Sequence, residues 1–518
     1  MKGFMTDKVD KDCLEFIIND KEPSEPERVP FLNYREGCEM LHKHLMNMNM
    51  QSIGIHADVD FDGVASSKIM NVFLEELGQS YIAKNYINGI REHGLKERHI
   101  EFVNNANCQL LIVVDSASND IDIIKQLNCD VLVLDHHKVE HTEYTGDTVG
   151  GRYIIINNTV SNLEDNYTAE DRMSGAEVVY EFIRQYEFMY NTGALIENRN
   201  MYEWVGVSLY TDVIALGNIR NQYYIGKTVN NMDIEQDLSK MLKSVRKWAT
   251  RPNKSNILFQ MAPVLNRAIR AGASSIVLNI VLNAPSKLGE IDVYSEQQKS
   301  IVDFYKARAY ISDSYAKVEI APQYTGYSGV IASAIKDQYS KTSIAYQVVD
   351  GIAIGSARGK ISGKDYRQFI NSSGYYAQGH NTAFGFRIPI EELDNIISSI
   401  TNDEVSTEEE YVVAGKAREV IKSKYSIDRV DTLMNDGTLW ELGVYNSRVS
   451  EGECIKILAD KDELSITEEY STYMKGEILG VPCVVFSIPT TKYIYLYIEY
   501  SSTDSMVKVY IRECPNYK

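Results

Sequence analysis

The sequence predicts an α/β protein with a large domain built on a parallel sheet, a second, smaller α/β domain, and a small β-rich domain at the C-terminal end. Three observations carry that reading. Short apolar runs alternate with helical stretches between residues 52 and 134, a second such alternation runs from about 315 to 400, and the last hundred residues turn β-rich.

Taken in order, residues 1–50 read as a helical segment ending in the Met-rich HLMNMNM. SIGIHA (52–57) is a short strand, and VASSKIMNVFLEELG (64–78) is a helix with Gly78 as its C-terminal cap. YIAKNYI (81–87) is a strand, and QLLIVV (109–114) and VLVL (131–134) are apolar enough to be parallel strands covered on both faces, with IDIIKQLN a short helix between them. Residues 170–225, much of 230–250 and 256–310 read as helical, and LWELGVYN, CIKILAD, VPCVVFSIP and KYIYLYIEY are strands of the last part. The boundaries that result are 1–50 for the N-terminal segment, 51–228 for the large domain, 229–312 for a helical connector, 313–402 for the second α/β domain and 411–518 for the β-rich domain. The acidic DEVSTEEE (403–410) is a linker or a solvated helix start.

Composition narrows the function classes. An apolar share of 44% and a charged share of 24% are those of a folded globular chain. No apolar run approaches the roughly 18 residues of a membrane span, so no membrane association is expected. The seven cysteines form no CxxC pair, which excludes a disulfide framework or a zinc knuckle and fits a reducing cytoplasm. With 53 Lys+Arg against 72 Asp+Glu the net charge is −19, which argues against a nonspecific coat on duplex nucleic acid.

The sharpest feature is His56-Ala-Asp58-Val-Asp60-Phe-Asp62-Gly63, set directly after a strand and before a helix. Three carboxylates at alternate positions repel one another unless cations hold them together. An EF-hand loop needs a bidentate Glu at its twelfth position; counted from Asp58 that position is Ile69, and the preceding flank is a strand, so that reading fails. Two further strands end in the same chemistry: QLLIVV runs into Asp115, and VLVL into Asp135-His136-His137. Because ligands gather beyond the carboxyl ends of parallel strands, Asp58, Asp60, Asp115, Asp135, His136 and His137 are expected to converge on one edge. Carboxylates mixed with imidazole suit Mn²⁺ or Mg²⁺ better than structural zinc, and the donors suffice for two ions. A lone His-His pair or strand-end Asp is commonly structural; the three in this order favour the functional reading.

These residues match a family. DVDFDG, VVDS, LDHH and YTDVIALGNIR (with Asp212) resemble the four motifs of the DHH phosphoesterases, and further stretches resemble their RecJ branch of single-strand-specific 5′→3′ exonucleases. Those stretches are YINGIREHGL (86–95), RMSGAEVVYEF (172–182), FQMAPVLNRAIRAG (259–272), and AIGSARG (353–359) with YYAQGHNTAFGF (375–386), the last two resembling the DHH-associated domain. LWELGVYNSRVSEG is faintly similar to the entry to an oligonucleotide-binding (OB-like) barrel.

The resemblance implies a metal set of His56, Asp58, Asp60, Asp115, His136 and Asp212 for two divalent cations, Mn²⁺ preferred and Mg²⁺ as the alternative, with Asp115 bridging. It implies that His137 touches the scissile phosphate and that Asp62 and Asp135 orient neighbouring groups. Arg91, Asn266, Arg270, Ser356, Arg358, Gly379 and His380 would bind phosphate and adjacent backbone, across a groove between the two α/β domains that excludes duplex. The partner implied is single-stranded DNA entering by its 5′ end, with a single-strand-binding protein or helicase as candidate protein partner and a monomeric state. The family's paired glycines read Gln378-Gly379 here, and its Gly after the strand-end Asp reads Ser116.

Two features lie outside the motifs. Residues 240–254 carry Lys240, Lys243, Arg246, Lys247, Arg251 and Lys254 with no acid among them, a track for a phosphate backbone or a solvated helix face. Tyr493, Tyr495 and Tyr497 alternate with Ile494 and Leu496, placed to stack bases or simply to line a half-buried strand. The leading expectation is a metal-dependent exonuclease releasing 5′-mononucleotides from single-stranded DNA. The alternatives are a DHH phosphodiesterase of very short oligonucleotides (a nanoRNase) or cyclic dinucleotides, and an inactive DHH replication scaffold, which would be expected to lack metal-binding acids.

Overall fold

Strands that lack a polar face must be covered on both sides, and the first sheet is built from three of them. The computed structural model describes residues 24–46, 52–78, 83–87, 93–169, 173–197, 201–212, 214, 219–230, 237–245, 261–339, 341–359, 365–380, 383–402, 441–446, 451–460, 462, 464–469, 474–478, 481–485, 493–501 and 506–513. In it β1 (Ile53–Ala57) is followed by the helix Phe61–Glu76, β2 (Ala83–Ile87), the helix Glu97–Asn105, β3 (Leu110–Val114), the short helix Ile121–Ile124 and β4 (Asp130–Asp135). Every residue of β1, β3 and β4 is buried. A hairpin absent from the sequence reading, β5 (Thr145–Asp147) and β6 (Arg152–Asn157), completes a six-stranded sheet of order β2-β1-β3-β4-β6-β5. All pairings are parallel except β5 with β6.

That order places β1 between β2 and β3, the point where the direction of winding reverses and a crevice opens beyond the carboxyl ends. The register Ala57↔Val114↔Leu134 brings the last residues of β1, β3 and β4 level, so Asp58, Asp115 and Asp135 emerge side by side. One face is covered by the 61–76 helix, which packs on the helices Gly175–Tyr190 and Met201–Thr211. The other carries a core of Leu111, Val113, Ile124, Leu127, Val131 and Val133.

Residues 23–216 and 220–295 form one compact unit, and 296–518 make the body of the second. The helices Asp237–Val245, Ala262–Arg270 and Ser274–Asn283 thus belong with the first sheet, whereas the sequence reading set 229–312 apart. The second unit holds a six-stranded mixed sheet of order β11 (Tyr376–His380), β12 (Ala383–Pro389), β10 (Ile352–Arg358), β9 (Thr342–Val349), β8 (Tyr315–Glu319) and β7 (Tyr310–Ile311), in which β8 runs parallel to β9 and β10 antiparallel to it. It also holds a seven-stranded sheet of order β13 (Glu441–Asn446), β14 (Glu451–Asp460), β18 (Tyr493–Ser501), β19 (Met506–Glu513), β17 (Val481–Val485), β16 (Met474–Ile478) and β15 (Leu464–Glu469). Among the described residues its end strands β13 and β15 (Leu464–Glu469) each pair with a single neighbour. In β18 (Tyr493–Ser501), Ile494 is fully buried, as the alternation with tyrosines requires. No helix of the described residues is long and apolar enough to cross a membrane.

Candidate metal centre

Asp60 caps the 61–76 helix: its carboxylate accepts the Gly63 amide at 3.1 Å, an arrangement worth about 1 kcal/mol to the helix. Gly63 is required here, since a Cβ would lie 2.6 Å from the Asp58 carbonyl oxygen. The turn thus presents Asp58 and Asp60 beyond β1 while sending Asp62 back beneath the sheet edge.

Asp62 is fully buried and accepts the amides of Gly175 and Ala176 at 2.7 and 2.9 Å, together with the Ser208 hydroxyl. Those amides open the 175–190 helix, whose positive end favours a carboxylate. Asp115 continues the ladder, its amide donating to the Leu134 carbonyl at 2.8 Å, and then turns into the left-handed region at φ 63. Asp tolerates that conformation; Ala117, at φ 75, does so less readily, so the turn after β3 is held by its surroundings.

The result is three overlapping groups of donors, each with ligand atoms within 4.8 Å of one another: Asp58, Asp60 and Asp115; Asp62, His136 and Asp212; and Asp115, His136 and His137. Asp115 and His136 are each shared by two groups. Neither oxygen of the buried Asp115 carboxylate receives a hydrogen bond, and His136 Nε2 stands 3.2 Å from one of them. Burial, followed by the charges of Asp62, Asp60, Asp58 and Asp212, raises Asp115 well above the usual carboxylate range. A carboxylate in that position calls for positive charge. His136 is oriented to help supply a ligand: its Nδ1 donates to the Met173 carbonyl at 2.8 Å, which leaves Nε2 facing Asp115, Asp212 at 3.7 Å and Asp62 at 3.8 Å. Burial also lowers its pKa, keeping the imidazole neutral for coordination. The unbonded carboxylate, the clustered oxygens and the neutral imidazole fit a divalent cation of the Mn²⁺ or Mg²⁺ type.

Other expected site residues fall around this centre. Asp135 accepts the amides of Ser118, His136 and His137 and the His137 ring, all between 2.7 and 3.1 Å, and stays ionised because those partners outweigh its burial. His137, about half exposed, is held at a pKa near 10: burial lowers it, but the Asp135 charge and hydrogen bond raise it further. His56 joins none of the three groups; its ring faces His99, with centroids 5.1 Å apart. The sequence reading missed His93, whose Nδ1 lies 2.6 Å from Asp58 while Gly94 donates its amide to the other Asp58 oxygen at 3.2 Å. Ser208 and Gly175 were likewise overlooked as site residues. A Cβ on Gly175 would stand 2.3 Å from Asp115 Oδ1, so only glycine lets this helix start approach so closely.

In the second unit Ser356 and Arg358 lie on β10 beside the start of the helix Ser328–Tyr339. The hydroxyls of Ser328 and Ser356 are 2.7 Å apart, and the Arg358 guanidinium packs over Gly329. Register puts Arg358, Ala383 and His380 in one row across β10, β12 (Ala383–Pro389) and β11 (Tyr376–His380), with Gly379 opposite Phe384. Asn266 and Arg270 sit one turn apart on the 262–270 helix, both half-buried. Lys240 and Lys243 lie on the 237–245 helix, where Asp237 pairs with Lys68 at 2.8 Å and stands 3.9 Å from Lys240. Arg91, Arg246, Lys247, Arg251 and Lys254 lie outside the described residues.

With the geometry in hand, comparison with known proteins is specific. Residues 52–205 match the DHH family N-terminal domain. That stretch of the chain is similar to the DHH family. The chain is 24% identical to the single-stranded-DNA-specific exonuclease RecJ of Haemophilus influenzae over 440 residues, 76% of this chain and 73% of that protein. Its fold matches the crystal structure of RecJ from Thermus thermophilus in complex with Mn²⁺, at a TM-score of 0.66 and 14% identity, over 97% of this chain and 76% of that one. The Mg²⁺ complex of the same protein matches at a TM-score of 0.59 and 14% identity, over 98% and 74%. The DHH match spans β1 to the 201–211 helix, the segment that supplies every donor of the three groups except Asp212.

Proposed function

We propose that the protein is a divalent-metal-dependent exonuclease that hydrolyses single-stranded DNA from a 5′ end and releases 5′-mononucleotides. The observation that carries this reading is Asp115: a buried carboxylate without a hydrogen bond, shared between two groups of donors. Asp58, Asp60 and Asp115 would hold one cation and Asp115, His136 and Asp212 the other, with Mn²⁺ preferred over Mg²⁺. Two such ions supply a nucleophile at neutral pH and offset the charge that builds on phosphorus. Asp135 fixes the imidazolium of His137 so that its exposed edge donates to a phosphoryl oxygen of the scissile group. His93 and the Gly94 amide keep Asp58 aimed outward from β1. Ser356 and Arg358 would take a phosphate of the strand, the guanidinium matching two of its oxygens at once. The similarity to RecJ proteins supports the choice of substrate, and the presence of Asp58, Asp60, Asp115, His136 and Asp212 speaks against an inactive scaffold.

Digestion of a long single strand labelled at either end, beside a series of two- to ten-nucleotide oligomers, tests the reading. The parent should shorten the strand from its 5′ end in Mn²⁺, and Asp115→Ala should lower the rate at least about a thousandfold, as loss of a carboxylate shared between two ion sites implies. Equal rates for parent and variant, or hydrolysis confined to oligomers of a few nucleotides, would overturn it.

A further inference from the structure

A second recess lies within the 23–295 unit, away from the carboxylates. It is bounded by β1, β2, the 97–105 helix and the 274–283 helix, and encloses about 700 Å³. Its walls are aromatic on one side and aliphatic on the other. Tyr86 and Phe102 meet edge to face with centroids 4.8 Å apart, and Phe102 is left half exposed at the mouth. His56 and His99 meet in the same way at 5.1 Å, and Leu278 and Leu282 face these rings from the 274–283 helix. The polar groups include the carboxamides of Asn279 and Asn283, hydrogen-bonded to each other at 3.0 Å, the carboxamide of Asn85, the hydroxyl of Ser275 and the guanidinium of Arg98. None of the lining residues is Asp or Glu, in a chain whose net charge is −19.

We propose that this recess binds one nucleoside 5′-monophosphate unit, either free or as the terminal unit of a short strand. The volume lies in the range of small-ligand pockets. Aromatic and aliphatic walls accept the face of any base, carboxamides offer a donor and an acceptor side by side to its edge, and Arg98 meets the phosphate. Among the described lining residues no carboxylate stands against that anion. His56 joins the two sites, since its ring lines the recess and Asp58 follows two residues later. The assignment rests on the reading of the protein as a nucleotide-handling enzyme, whose product or substrate end would be the occupant.

The test uses the full-length protein in excess EDTA, where the bare carboxylates of the metal centre disfavour a phosphate. Titration calorimetry with deoxyadenosine 5′-monophosphate, deoxyadenosine, inorganic phosphate and a 5′-phosphorylated tetranucleotide reads the pocket directly. The monophosphate or the tetranucleotide should bind saturably, and inorganic phosphate should not. Leu282→Trp, which fills the recess, should weaken binding at least about tenfold, and Arg98→Gln, at an exposed position, should weaken the monophosphate but not the nucleoside. Melting curves establish that both variants are folded; if Leu282→Trp is not, Arg98→Gln decides alone. Binding by the monophosphate assigns the pocket to free nucleotide, and binding by the tetranucleotide alone assigns it to a strand end. No saturable binding of either, or binding unchanged in the folded variants, overturns the proposal. Assaying Mn²⁺-dependent hydrolysis on the same preparation separates the two readings. Binding without hydrolysis sinks the proposed exonuclease and keeps the pocket, and hydrolysis without binding does the reverse.

Discussion

Asp135 shares the sheet edge with Asp115 but has the opposite chemistry. It accepts hydrogen bonds from the amides of Ser118, His136 and His137 and from the His137 ring, whereas Asp115, at the end of the adjacent strand, accepts none. The fully bonded carboxylate positions a neighbour; the bare one is left for cations. Replacing Asp135 by Asn keeps the shape but removes the charge that holds His137 near pH 10. We expect kcat to fall about 10- to 100-fold with little change in Mn²⁺ affinity, the usual size of such an outer-partner effect. Because His137 is protonated below its raised pKa and loses its proton above it, the alkaline limb of the pH–rate profile should move to lower pH in the variant. An unchanged limb would remove His137 from the reaction. The candidacy of Asp58, Asp60, Asp115 and His136 was legible from residue type and order, because cations reconcile so many acids, whereas Asp212 entered only through the resemblance to the fourth DHH motif. His93 was not legible, since nothing in Arg-Glu-His-Gly marks a histidine that will fold against Asp58.

At the scale of elements, the site depends on how closely a helix start approaches a strand end. Gly175→Ala places a Cβ 2.3 Å from Asp115 Oδ1, so the 175–190 helix must back away, taking its amides from Asp62. The variant should lose at least about 10-fold in Mn²⁺ affinity, measured by calorimetry, and melt at lower temperature, since relief of overpacking of this kind typically costs about 1–3 kcal/mol. At the opposite end of the sheet, Asp130 at the start of β4 accepts His44 Nε2 at 2.8 Å and the Arg152 amide at 2.8 Å, tying the helix Tyr34–Met46 to the sheet. Although burial raises it, these partners bring Asp130 down to about 2. Its folded pKa is therefore depressed, so its contribution is present above the ordinary carboxylate range and is lost as pH falls toward 2. Asp130→Asn should cost about 1 kcal/mol at pH 7 by urea unfolding, after allowance for solvent screening, with the gap to the parent closing between about pH 4 and 2. A gap that widens on acidification would contradict the assignment. The apolar runs and helical periods gave these elements their places in the sequence. The β5–β6 hairpin escaped because β5 is only three residues long; β6 pairs parallel with β4 and carries the antiparallel β5 on its other side.

For the whole molecule, net charge and metal are linked. The acids at 58, 60, 62, 115 and 212 are packed within one sheet edge, so without cations the fold carries their mutual repulsion. Mn²⁺ should raise the melting temperature of the unit that holds them, by an amount corresponding to about 2.7 kcal/mol at a hundredfold excess over Kd. Asp115→Asn should melt higher than the parent in EDTA and gain little from Mn²⁺; a parent insensitive to Mn²⁺ would refute a metal centre here. The last sheet was recognisable as β-rich from its alternating runs, but its order of seven strands was not, because long-range pairing leaves no local mark.

The sequence by itself determined the α/β alternation, the strand ends that bear acids, and the donor types that select a hard divalent cation, because period, composition and spacing are local properties. Tertiary structure alone decided which donors meet. Lateral register made Asp115 and His136 common to two groups, and the crossover order put β1 beside β3. The end of β1 at Ala57 let the chain turn, so that Asp58 enters the centre while His56, two residues earlier, faces a separate recess. Strand alternation fixes a side chain's face only while the strand lasts; beyond its end, helix capping and the neighbouring strands set the direction.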